Sequence, residues 1–441
     1  MRMRTTRQPR LWRPPALVPR GVLMRLAPVL IILLLAAPLI WPRSGRAQDP
    51  QPRSAGYTNF ETEPVRPLAL SPDGNRLYAV NTADDRLEIF AVEPGGLRRM
   101  GEVAVGLRPV AVALTGSEAW VVNHLSDTVS IVDVADPLQA RVTRTLATGD
   151  EPRDIVVGGP QRDMVFVASA YRGEPLKPGL GQAQVQVWRT DDPARPPESL
   201  RLFGRKPRAL AVSPDGRSVY AAIFQSGNGS ASIDETAAQT TGGMPDPGMP
   251  VKVAATPPPT GLIVRQSGRR WADAGGTDRA KAVPFTLPDK DVFRIDARGP
   301  RPAVADAFTA AGTLLFNLAV QPGSGEVWVT HSEALNGIRF EPRLKGRAYV
   351  QRISRLVGGS FLAVDLNAHV DRARAPGTAA ERALSLAQPL ELVFNADGQR
   401  AYVAAFQSAQ VGVLDRLGQV IGRIAVGFGP AGLALSPDGA R

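Results

Sequence analysis

The sequence predicts an all-β fold, a β-propeller of about seven four-stranded blades, the seventh truncated at the C-terminus, with long insertions in blades four and five. Three observations predict it. A Gly followed three residues later by Pro, each time between two apolar runs, appears at Gly106/Pro109 and returns at Gly149/Pro152, Gly204/Pro207 and Gly427/Pro430. The first interval is 43 residues, and a period of 40–50 with strand-like content marks a propeller or a similar array. The chain also holds 43 Gly and 40 Pro, enough to punctuate many short strands with turns.

The elements follow in order. Blade one opens at Pro67 with Leu68–Leu70 and turns at Ser71-Pro72-Asp73-Gly74. There Pro presets φ, Asp bonds the backbone and Gly accepts positive φ. Leu77–Asn81, Arg86–Phe90 and Gly101–Val105 complete it. Blade two repeats the plan with Ala111–Leu114, Ala119–Asn123, Thr128–Val132 and Arg144–Thr148. Blade three takes Asp154–Val157, Met164–Ala168, Ala183–Trp188 and Leu200–Phe203. Blade four starts with Ala209–Val212 and Val219–Phe224, is interrupted over about 225–289, and resumes at Asp291–Asp296. Blade five is read as Leu314–Val320, Glu326–Thr330 and Phe361–Asp365, with a basic insertion over about 339–358. Blade six takes Leu390–Phe394, Ala401–Phe406, Val411–Asp415 and Ile421–Val426. Pro430 and Leu433–Gly439 open a seventh blade, and the sequence is expected to be the N-terminal part of a longer product.

Ser126-Asp127-Thr128-Val129-Ser130-Ile131-Val132-Asp133, following Val121-Val122-Asn123, resembles the YVTN-family β-propeller repeat, and Leu433–Gly439 fits the same pattern. The resemblance covers nearly all of 66–441 outside the insertions. It implies a bacterial, exported propeller without implying one activity. The variant Val-Asn-His-Leu-Ser-Asp at 122–127, with long insertions in middle blades, is similar to a subgroup in which a c-type cytochrome domain often follows. That subgroup's Cys-x-x-Cys-His motif is absent from this chain, so no cofactor is expected here.

Composition narrows the function classes. The formal charge of +11 is concentrated at the N-terminus, where residues 1–47 carry nine Arg and no acid; residues 48–441 sum to +2. A folded part so near neutrality has no field for nucleic acid. Without Cys there is no thiol catalysis, Cys-bound zinc or covalent haem. Leu26–Trp41 is an uncharged apolar run behind the basic leader, with Gly45 and Ala47 placed for cleavage before Gln48. Residues 1–47 therefore read as a signal peptide or a membrane anchor, and the folded part as periplasmic or extracellular. Residues 48–65 are a linker, and Tyr57–Glu61 could lend a ring-closing strand.

The loops joining second to third strands, and fourth strands to the next blade, emerge on one face. This gathers Asn81, Asn123, His124, Tyr171, Arg172, Gln225, Asn228, His331 and Glu333 with Arg66, Arg108, Arg153, Lys206 and Arg208. Basic residues beside the blade-opening prolines are expected to ring the mouth of the central channel, where planar guanidinium forks suit a carboxylate or phosphate. The competing reading is that these are solvated turn residues. His369 is read as a loop residue; Asp133, Asp296, Asp365 and Asp415 as turn caps; Trp120, Trp188 and Trp328 as core. No metal site and no catalytic set is assigned. The preferred expectation is a scaffold that binds an unknown protein or a small anionic ligand through its loop face. The alternatives are a propeller enzyme of lactonase or lyase type, or an accessory to a redox module.

Overall fold

The computed structural model describes residues 64–172, 182–226, 229–243, 261–273, 275–283, 289–334, 349–372, 374 and 377–439. The leader and Tyr57–Glu61 lie outside these residues. Six four-stranded antiparallel sheets follow one another along the chain. Blade one is β1 (Leu68–Leu70), β2 (Arg76–Asn81), β3 (Arg86–Glu93) and β4 (Gly96–Ala104). Blade two is β5 (Pro109–Thr115), β6 (Glu118–Asn123), β7 (Thr128–Asp133) and β8 (Arg141–Ala147). Blade three is β9 (Asp150–Gly158), β10 (Met164–Ala170), β11 (Ala183–Arg189) and β12 (Glu198–Leu202).

Blade four begins with β13 (Arg205–Val212) and β14 (Ser218–Gln225). Its insertion then folds as β15 (Ser230–Ile233), helix α1 (Glu235–Thr240), β16 (Leu262–Ser267) and β17 (Arg270–Ala272), the three strands forming their own sheet. The blade closes with β18 (Val292–Asp296) and β19 (Ala303–Phe308). Blade five is β20 (Leu314–Val320), β21 (Val327–Ala334), β22 (Tyr349–Val357) and β23 (Ser360–Asp365); a short helix α2 (Ala379–Ala383) precedes blade six. That blade is β24 (Pro389–Phe394), β25 (Arg400–Ala405), β26 (Gln410–Asp415) and β27 (Val420–Ala425).

One boundary differs from the sequence reading. Tyr349–Val357, expected inside a basic insertion, is the third strand of blade five, and Phe361–Asp365 is the fourth strand. Its inward positions include Gln351 and Ser354, which interrupt the apolar alternation that marks a strand, while Arg355 reaches outward to Glu326.

Blade-to-blade cores hold the ring. Trp120, Val122 and Val129 of blade two pack with Ile155, Val165 and Val167 of blade three. Phe166 and Val185 meet Leu210, Val219 and Phe293 in the next interface, and Trp328 and Ile353 meet Leu392 and Leu414 between blades five and six. Trp120 and Trp328 are fully buried and Trp188 nearly so, as core residues should be. Each large apolar side chain so covered contributes about 1.5–3 kcal/mol. The four strand-end aspartates cap turns: Asp133, Asp296, Asp365 and Asp415 each accept a backbone N–H two residues on. At the seventh position, Leu433 N–H donates to Glu391 of blade six, and Gly432 lies against Pro67 of blade one.

Candidate functional site: the axial channel and its loop-side mouth

The first strands of successive blades pack on one another around the axis. In blades two, four, five and six the pairing shifts just after the opening Pro, or its Leu315 equivalent. Where the opener is Pro there is no N–H for the ladder, which suits a bulge, and blade five makes the same shift at Leu315. Two residues after the Pro, blades one, two and four carry Ala69, Ala111 and Ala209, whereas blades three and six carry Asp154 and Glu391. The small residues leave room at the axis, and the acids fill it.

That room is taken by Val65 and Arg66. Val65 N–H donates to Val110 O, Val112 N–H donates to Arg66 O, and Asn317 Nδ2 of blade five donates to Val65 O. The Arg66 guanidinium meets Asp154 through Nε at 3.2 Å and Nη2 at 3.3 Å, Glu391 through Nη1 at 3.2 Å, and Leu210 O at 2.8 Å. Arg66 thus lies inside the channel and links blades three, four and six, where the sequence reading had it on the rim. Asp154 also accepts from Ile155 N and Leu210 N. Burial pushes the Glu391 carboxyl up to about 8, opposed by the Arg66 charge. One cation between two buried acids is better balanced when one acid keeps its proton.

The mouth proper is built where blades two, three and four begin. Arg108, Glu151 and Lys206, each directly before the opening Pro, adopt left-handed φ of 54°, 46° and 54°. Aspartates from the preceding blade's second turn fix the first two: Arg108 N donates to Asp85 Oδ1 at 2.6 Å and Glu151 N to Asp127 Oδ1 at 2.9 Å. Arg153, nearly buried, pairs with Glu151 at 2.7 Å. His124 is buried with Nδ1 3.2 Å from Pro152 O, and since a carbonyl only accepts, the neutral ring carries its proton on Nδ1. Burial, reinforced by Arg153, lowers His124 to about 4. Burial opposes ionisation of Glu151, but Arg153 prevails and holds its carboxyl below the usual range. Arg108, Lys206, Arg153 and Arg172, the last paired with Asp127, stand here among Glu151, Asp85 and Asp127.

The remaining candidates sit apart from this cluster. Arg208 is buried, donates to Phe316 O at 3.1 Å and packs over the Phe224 and Phe316 rings. His331 is buried in blade five: its Nε2 lies 2.8 Å from Ser354 Oγ, whose hydroxyl goes to Ala311 O, so Nε2 donates. Burial, with Arg352 nearby, lowers it to about 3. Glu333 accepts from Thr313 and lies 4.0 Å from Arg265 of the insertion. Tyr171 stacks with Arg201 at 3.3 Å, and Arg172 pairs with Asp127. Asn81 and Asn123 bond residues of their own blades, Gln225 ends β14 paired with Arg205, and His369 contacts Glu381 O at 3.0 Å. Asn228 lies outside the described residues. Among the described residues no group of three His, Cys, Asp or Glu could hold a metal ion.

The sequence reading missed Asp154 and Glu391, although an acid at a position that is Ala in three other repeats was a visible signal. It also missed Asp289 and Asp291, which cap Ala310 and Ala311 at the start of blade five as Asp85 and Asp127 do elsewhere. On the opposite face, between blades three and four, a cavity of about 380 Å³ is lined by Trp188, Arg189, Asp191, Pro300 and Pro302 among others.

No family model matches the chain, and no curated protein resembles it in sequence. Among solved structures, a hydrazine synthase chain from Kuenenia stuttgartiensis superposes with a TM-score of 0.58 at 18% identity, covering 88% of this chain and 93% of that one. The periplasmic gluconolactonase PpgL of Pseudomonas aeruginosa gives 0.47 at 15% identity, covering 86% and 89%. At such identities the first likeness shows a shared propeller fold and nothing of activity.

Proposed function

We propose that this chain binds a small carboxylate- or phosphate-bearing ligand at the loop-side mouth formed by Arg108, Arg153 and Lys206. The observation that carries the reading is the meeting of Arg153 and Lys206 on Glu151, with Arg108 beside His124, at the left-handed entries to blades two, three and four. Below them the axis is occupied by the Arg66 hub, so a ligand would rest at the mouth without threading the channel. β14 and β21 end toward this face, at Gln225 and Ala334.

The test is calorimetric titration with citrate and with inorganic phosphate. Arg108→Asn combined with Lys206→Asn keeps residues that tolerate positive φ while removing both charges. The expected result is at least tenfold weaker binding with an unchanged melting temperature, and wild-type affinity that falls as salt rises. Equal affinity in the double variant would refute the site.

Export is proposed from the basic leader and the apolar run 26–41; sequencing the mature N-terminus, expected at Gln48, checks it.

A further inference from the structure

Two connections on the face opposite the mouth depart from the repeat. In blade five the third and fourth strands are joined by two glycines, Gly358 and Gly359. In blade three the same link runs over 190–197 and holds Pro193, Pro196 and Pro197; in blade four it runs over 297–302 and holds Pro300 and Pro302. Proline fixes φ, so both links are stiff. Between them opens the cavity of about 380 Å³, and Arg301 of the second link comes within 4.0 Å of Glu198 at the end of the first.

Met164, Val187 and Trp188 form the floor and are 3%, 5% and 3% exposed. The Trp120 indole N–H donates to Glu118 Oε2 at 3.0 Å and that of Trp328 to Glu326 Oε2 at 3.4 Å, the acceptor standing two residues earlier in both cases. Trp188 has Gln186 at that offset, and Gln186 Oε1 is already taken by Gly149 N–H at 2.7 Å and the Ser169 hydroxyl at 3.2 Å. Among the described residues nothing accepts from the Trp188 indole N–H. What is left exposed of this side chain opens on the cavity. A buried donor without an acceptor carries a desolvation cost, which a ligand oxygen placed there would remove.

We propose that this cavity binds a small uncharged molecule through a carbonyl oxygen, which accepts from the Trp188 indole N–H while the rest of the ligand packs on Met164, Val187, Pro196 and Pro300. The chemistry of the lining selects that class. A carbonyl only accepts, so it satisfies the indole without bringing a donor; a hydroxyl would set its own proton against an apolar floor. An ionised group would be placed worse. Arg189 is held by Asp163 and lies 3.6 Å from Asp191, while Asp192 and Arg195 are exposed at the rim, so the charges stand away from the floor. The volume falls in the range of small-molecule sites, about 300–1,000 Å³, and walls set by proline bind without the cost of ordering a loop. The site lies on the other face from the mouth and does not depend on it.

The probe is cyclohexanone, titrated into the intact, isotope-labelled chain. The indole N–H resonance of Trp188, identified by its loss in Trp188→Phe, should move saturably as the ketone is added. Trp188→Phe keeps a ring in the floor but has no donor, and should bind cyclohexanone at least tenfold more weakly by saturation-transfer measurement. Cyclohexanol, cyclohexylammonium and cyclohexanecarboxylate share the ring and should each bind wild type at least tenfold more weakly than the ketone. That order of affinities needs no variant, so it tests the proposal even where Trp188→Phe fails to fold. Absence of ketone binding, an indole resonance unmoved at saturation, or any of the three relatives bound as tightly as the ketone would overturn the proposal.

Discussion

Removing the Arg66 guanidinium would leave Asp154 and Glu391 buried without their shared cation and would untie blades three, four and six at the axis. Breaking a buried ion pair from one side costs about 3–5 kcal/mol, and Arg66→Met should show that loss in urea denaturation. Glu391 gives a pH-dependent counterpart. Its folded pKa is raised above the unfolded value, so its contribution is fully present below the unfolded pKa and is lost as pH rises through about 8. Glu391→Gln cannot ionise, and its single carbonyl oxygen leaves one of the two donors, Arg66 Nη1 or Leu433 N–H, without its acceptor at every pH. Its stability relative to wild type should therefore climb between pH 5 and pH 8, by on the order of 2 kcal/mol, and then level off; parallel melting curves would contradict this. Gly312 is a steric counterpart, since a Cβ there would lie 1.9 Å from His331 Nδ1. Gly312→Ala should destabilise by about 2 kcal/mol or more, read as a lowered melting temperature.

The insertion of blade four is a small folded unit with its own core of Ile233, Ala238, Leu262, Val264 and Trp271. Arg279, almost wholly buried, donates to Asp273 at 2.7 Å, to Ala238 O at the end of α1 and to Gly243 O. Arg279→Ala should accelerate hydrogen exchange across 229–243 and 261–273 while the blades keep their protection, because among the described residues this network makes no bond to them. Strands with alternating apolar residues, such as Thr128–Asp133, were legible in the sequence since one rule of burial governs them. Tyr349–Val357 was not, because its inward Ser354 serves His331 and its Arg355 lies over the Trp328 ring. Polar residues with tertiary partners carry no periodic signature. Arg66 was misplaced for a related reason: beside Pro67 it resembles Arg108, but it joins the axis along β5 without the left-handed turn that puts Arg108 and Lys206 at the mouth.

At the scale of the whole molecule, the repeat makes the ring and the departures from the repeat make the sites. Alanine two residues after the opening Pro keeps the axis open, Asp154 and Glu391 convert it into a seat for Arg66, and the left-handed entries turn charged side chains toward the loop face. The fold was legible because the Gly–Pro punctuation and strand pattern recur; the mouth was only partly legible, because which basic residues are seated, paired or exposed depends on neighbours from other blades. The central claim is that ligand binding belongs to this mouth. A crystal soaked with citrate tests it most directly: the account predicts density within hydrogen-bonding reach of Arg108, Arg153 and Lys206, and citrate bound elsewhere with that mouth empty would contradict it.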